Sequence, residues 1–176
     1  MLVPFSLAEA LPMLTGLGFT YQPPPPPRPG EFHPFERMGV ISMESGIEPW
    51  RIHCALGGSL GNSYPYLDFG LVNARMPGGG MIGPQHRVYS LASLFTAVPR
   101  IRELLGAFAA DESQLHCPTC KLRWLEVKEP HEGQRWRAFL SCSGMQVVQQ
   151  RMDGVRVKGI ACRGARNDIA AIVVYQ

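Results

Sequence analysis

Hydrophobic positions between residues 90 and 110 recur at helical spacing: Leu91, Leu94, Phe95, Val98, Ile101, Leu104, Leu105 and Phe108. A stripe of this period lines one face of an α-helix. Ser90 stands where it can cap the start, and Pro99, which lacks an N–H, predicts a kink or two abutting helices. The stripe reads as core packing against sheets, with a partner-binding face as the alternative. Upstream, GVISM, PWRIHCAL and YLDFGLVNA have the β-branched and aromatic content of strands. GGSLGNS links the second to the third, and MPGGGMIGP after the third is predicted as a loop. Near the start, Ser6 and Glu9 have the spacing of a capping box, and Pro12 limits the helix they would open.

Downstream of residue 110 the pattern turns to strands. LRWLEVKE and QRWRAFLSC flank the polar turn EPHEGQ. QVVQQRM and VRVKGIAC flank Asp153-Gly154, a two-residue hairpin signal, and IAAIVVY reads as a buried closing strand. The five consecutive prolines of QPPPPPRPG hold a solvated polyproline II conformation. The chain thus divides into an N-terminal segment (1–21), a polyproline linker (22–30), an α+β part (31–110) and a cysteine-containing β module (111–176). The fold class is α+β, with a strand-rich N-terminal part, a kinked helix at 90–110 and a C-terminal β-hairpin module.

Composition narrows the class. Of 176 residues, 19 are Gly and 16 Pro, so turns are frequent, while 45% apolar content is that of a globular chain rather than a collagen, coiled coil or disordered protein. No run of 18 apolar residues is present, so no transmembrane helix and no membrane partner are expected. The N-terminus lacks the positive start of a secretory signal. Five cysteines, an odd number in a chain able to bury its own core, argue against a disulfide framework. A reducing compartment, cytoplasmic or nuclear, is expected.

The cysteines carry the most specific chemistry. Cys117-Pro118-Thr119-Cys120 turns two thiols toward one point, and the hairpin after it would return Cys142 beside them. Cys-x-x-Cys also occurs as a redox dithiol, but that motif opens a helix after a buried strand, and here an alternating strand follows. Plainly buried cysteines are the other alternative. The segment resembles the zinc ribbons at the C-terminal end of type IA topoisomerases, through Cys117, Pro118, Cys120, Gly133, Phe139, Cys142 and Ser143. That resemblance covers residues 117–143 and implies a structural Zn2+ held by four ligands. The chain departs from the pattern at the fourth, since positions 143–150 hold neither Cys nor His. Cys162 is the first candidate for it, returned by the Asp153-Gly154 hairpin; His131 and His116 come next.

Charge is uneven. Residues 1–110 balance seven basic against seven acidic side chains, whereas 121–166 hold ten basic against four acidic. A basic stripe is the footprint of a phosphate-binding surface, and Arg123, Arg135, Arg137, Arg151, Arg156 and Lys158 are the candidate nucleic-acid contacts. A two-residue turn at Asp153-Gly154 would set Arg151 opposite Arg156, a repulsion that an anionic partner would relieve. Trp124, Trp136 and Phe139 lie among the arginines and could stack on bases, or form the core of the module.

Weaker features remain. Pro23, Pro26 and Arg28 fit an SH3-ligand pattern. His53 and Cys54 are adjacent on a strand and therefore point to opposite faces. The Gly-rich loops lack the spacing of a P-loop or a dinucleotide fingerprint. The leading expectation is a small non-enzymatic nucleic-acid-binding or adaptor subunit with structural zinc. The alternatives are a protein-interaction adaptor of viral or mobile-element type, using the segment Pro23–Arg28 or the helix stripe, and an enzyme with a Gly-rich loop at 75–86 near His53 or His86.

Overall fold

The structure is a computed structural model that describes residues 3–30, 39–58, 63–76, 79–145, 147–150, 156–159 and 162–176, with the backbone alone described at 145, 147–150 and 156–159. The architecture is α+β, as the pattern predicts. Strands β1 (Thr20–Gln22), β2 (Val40–Glu44), β3 (Trp50–Gly57), β4 (Tyr66–Asn73) and β5 (Ile82–Val88) form an antiparallel meander. A final strand, β11 (Ile172–Tyr175), joins the meander parallel to β5. Alternation decides the faces: Trp50, Ile52 and Cys54 of β3 are buried while Arg51 and His53 point away.

Helix α1 (Leu7–Gly16) and helix α2 (Leu94–Ala110) pack into the same core as the buried strand residues. The capping box forms: Ser6 Oγ accepts from Glu9 N, and Glu9 Oε2 accepts from Ser6 N at 2.7 Å. α2 buries Leu94, Val98, Ile101 and Leu105, so the stripe is core. Pro12 and Pro99 each lie inside a continuous helix, so of the two outcomes expected at Pro99 the abutting pair is not the one formed. Two details differ from expectation. Ser90 makes no side-chain cap, because a short 3-10 turn, Leu91–Ser93, precedes α2. Phe95, counted in the stripe, is 56% exposed.

Between α2 and β11 lies the cysteine module. Strands β6 (Leu125–Lys128) and β7 (Phe139–Cys142) pair antiparallel, and β10 (Ala165–Arg166) adds to the other side of β7. Strands β8 (Val147–Gln150) and β9 (Arg156–Gly159) form a separate hairpin. Two boundaries shift as a result. The closing strand Ile172–Tyr175 belongs to the large sheet, not to the module expected over 111–176, and it is an edge strand with Val174 51% exposed. The N-terminal segment is part of the main body, since Leu7, Ala10, Leu14 and Phe19 enter its core.

β5 begins inside MPGGGMIGP, where sequence reading expects a loop. It carries Gly83 and Pro84, and Gly83 adopts a φ of +75° with its bare Cα against Leu115. Both of its faces are covered, polar His86 and Arg87 included, so no alternation betrays it.

Candidate metal centre

The chain approaches the cysteines through a tight knuckle. Lys121 N donates to Cys117 O at 2.9 Å and Cys117 N to Arg123 O at 2.8 Å. Lys121, with a φ of +58°, is the one non-glycine residue in left-handed backbone among the described residues. β6 and β7 then return the chain so that Leu125 lies opposite Cys142. The second half of the site is built from two short arms, Cys142-Ser143-Gly144 and Cys162-Arg163-Gly164. They clasp each other: Cys142 N donates to Gly164 O at 2.8 Å and Cys162 N to Gly144 O at 3.2 Å. Nineteen residues, including the β8–β9 hairpin, separate the last two cysteines.

The four sulfurs of Cys117, Cys120, Cys142 and Cys162 all lie within 4.8 Å of one another. Cys117 Sγ and Cys162 Sγ are 3.8 Å apart, as are Cys120 Sγ and Cys142 Sγ. Four sulfurs held about 2.3 Å from one centre in a tetrahedron are about 3.8 Å from each other, so the donor set fits a single ion. These cysteines are therefore positioned to hold a metal ion. Cys162, the first of the candidates for the fourth position, supplies the fourth sulfur of the cluster. His131 is exposed at the far end of the β6–β7 loop, and His116 is stacked on Trp124 at 4.0 Å rather than joined to the cluster.

The surroundings act in opposite directions on the sulfurs, favouring the thiolate at Cys117 and Cys120 and opposing it at Cys142. Gly144 N points at Cys142 Sγ at 3.4 Å and Gly164 N at Cys162 Sγ at 3.3 Å. Burial works against a Cys117 thiolate, yet N–H donation from Cys120 and Thr119 outweighs it and lowers its pKa. N–H groups of Leu122 and Arg123 lower that of Cys120. Burial and the neighbouring sulfurs push Cys142 the other way. Sulfurs packed this closely ionise together only when a cation stands between them.

The apolar support is thin. Around the sulfurs, Leu125, Leu140 and Ala171 are the buried apolar residues among those described. Two leucines contribute about 1.5–3 kcal/mol each, whereas ordering a residue costs about 1–2 kcal/mol. Val127, Ala138 and Ile169 pack partly buried against this cluster, which stays small, and small modules are commonly stapled by a metal or disulfide.

The module is tied to the sheet by contacts that the sequence does not reveal. Arg87 of β5 binds Asp68 through two hydrogen bonds, 2.8 and 2.9 Å, and Glu129 through two more, 3.1 and 2.9 Å. Its guanidinium lies 4.0 Å from the centre of the Tyr66 ring. Burial opposes the Arg87 charge, and the carboxylates outweigh it. Trp50 Nε1 donates to Glu112 at 2.8 Å, and Trp124 meets the Trp50 ring edge-on at 5.2 Å.

No protein-family model, curated protein or solved structure matches the chain.

The candidate basic residues fall into three groups. Arg135 and Arg137 are exposed on the β6–β7 loop, and Arg123 is half-buried, close to Gly144. Arg156 and Lys158 lie in β9, where their cross-strand partners are Gln150 and Val148. The register is thus one residue from that expected, and Arg156 does not stand opposite Arg151. Arg151 and the Asp153-Gly154 turn lie outside the described residues. The enzyme reading brings its residues together only in part. A groove of about 430 Å³ joins His53 to Met76 and Gly79 of the Gly-rich segment, but His86 stands on the opposite, core-facing side of the sheet. Among the described residues, no helix is long and apolar enough to cross a membrane.

Proposed function

We propose that this chain is a small non-enzymatic nucleic-acid-binding or adaptor subunit in which Cys117, Cys120, Cys142 and Cys162 hold a structural zinc ion. The convergence of the four sulfurs carries the reading. An all-sulfur tetrahedral donor set suits zinc, and four protein ligands leave no open position for catalysis. The module would be a zinc ribbon with the β8–β9 hairpin inserted between its third and fourth ligands. Metal analysis of protein purified without chelator tests this: one zinc per chain is expected, and little in Cys142→Ser. Folded, metal-free protein would end the reading.

The basic excess of the module supports nucleic acid as the partner, with Arg123, Arg135, Arg137, Arg151, Arg156 and Lys158 as contacts. Binding would weaken steeply with salt. Replacing Arg151 and Arg156 by Ala should flatten the salt dependence by up to about 2 units of log–log slope. Unchanged affinity and slope would remove these two residues from the interface. A protein-docking reading is favoured by one observation, the exposure of most of Pro23–Arg28. A pull-down through this segment that captures protein and survives nuclease would support it.

A further inference from the structure

The three tryptophans have different surroundings. Trp50 is 1% exposed in the main core, and Trp124 packs between Trp50 and His116. Trp136 is 40% exposed, on the loop between β6 and β7. It is nonetheless held in place. Its Nε1 donates to Gln134 Oε1 at 3.0 Å, and the same oxygen accepts from His131 N at 2.9 Å. Gln134 N donates back to His131 O at 3.0 Å, and the indole meets the Phe139 ring at 5.5 Å and 61°. An oriented but uncovered indole is a surface prepared for a flat partner.

The flanking charges say which partner. Arg135 and Arg137 adjoin the ring in sequence, are exposed, and make no ion pair among the described residues. Of the two loop carboxylates, Glu129 is committed to Arg87, which leaves Glu132 against two arginines. Arg137 and Phe139 also open onto a groove of about 530 Å³ that contains Asn167 and Arg166, the latter already paired with Asp168. A duplex hides its base faces and would use the arginines alone, whereas an unpaired base with its phosphates uses ring and charges together. We infer that Trp136 is a stacking platform for one unpaired base of single-stranded nucleic acid, with Arg135 and Arg137 on the adjoining phosphates. This rests on the nucleic-acid reading above and deepens it.

The test uses the full chain as purified, with a labelled mixed-sequence 12-mer and its duplex at fixed salt, read by fluorescence anisotropy. Trp136→Ala should weaken single-strand binding about tenfold or more and leave duplex binding unchanged. Trp136→Phe should recover part of the loss. Arg135→Ala with Arg137→Ala should weaken both and flatten the salt dependence. Metal content and circular dichroism establish that each variant is folded. Single-strand affinity of Trp136→Ala within twofold of the parent overturns the platform while leaving the nucleic-acid reading intact. A polyglutamate peptide bound as tightly as the single strand also overturns it. If the parent binds neither strand form, the nucleic-acid reading itself fails.

Discussion

His86 carries a consequence for acid stability. It is 2% exposed, its Nδ1 meets the Tyr175 hydroxyl at 3.0 Å, and its Nε2 has no partner among the described residues. Burial lowers its pKa to about 4, whereas the unfolded chain titrates near 6.5. Between these values the unfolded state binds more protons, so stability falls as pH is lowered from 6.5 to 4. The window is worth about 3 kcal/mol. Denaturant unfolding of wild type and His86→Gln should therefore converge in acid. The metal site is common to both proteins, so its own acid sensitivity cancels in the difference; parallel pH profiles would contradict the assignment. Two glycines of the metal centre separate by the same kind of reasoning. A Cβ at Gly164 would strike Cys117 Sγ and Thr119, which are fixed by the site. At Gly144 it would meet the side chain of Arg123, which can swing aside. Gly164→Ala should lose most bound metal and Gly144→Ala little, as read by metal stoichiometry.

The two arms that clasp each other make the β8–β9 hairpin separable from the site. The bond from Cys162 N to Gly144 O has the pattern that closes a two-residue turn. Replacing residues 145–161 by Asn-Gly should therefore keep one metal per chain. It also removes Arg151, Arg156 and Lys158, so nucleic-acid affinity should drop, and a drop in metal content instead would show that the hairpin builds the site. The elements that a sequence reader finds here are those with one local rule: the α2 stripe, the capping box at Ser6, the alternation of β3. The Cys117–Cys120 knuckle and the return of Cys142 are legible for the same reason, because ligand spacing is local chemistry. What escapes is set by tertiary context. β5 hides behind Gly83, Pro84 and buried polar residues, and the closing strand shows its apolar run but not the edge it joins. The pairing of β8 with β9 differs by one residue from that expected of a two-residue turn, and the turn itself lies outside the described residues. The tie from Arg87 to Asp68 and Glu129 spans 19 and 42 residues, beyond any local pattern.

At the scale of the molecule, the cysteine module is an insertion between α2 and β11. It draws its chain from the main body and hands the last strand back to it. Structural zinc in small modules contributes about 10–16 kcal/mol of binding free energy, comparable with the whole stability of a domain. The apolar core around the sulfurs is too small to replace it. On the proposed zinc reading, removal of the ion should therefore release the module, with Glu129 withdrawn from Arg87 and β11 no longer anchored against β5. The meander β1–β4 holds its own core with α1 and α2 and does not depend on the sulfurs. Hydrogen exchange with and without chelator distinguishes the parts. Amides of β6, β7 and β11 should lose protection together, those of β5 facing β11 should follow, and β2 to β4 should retain theirs. Protection that survives in β11 while β6 and β7 open would mean that the last strand is held by the sheet alone, and the module would then be an appendage rather than a clamp.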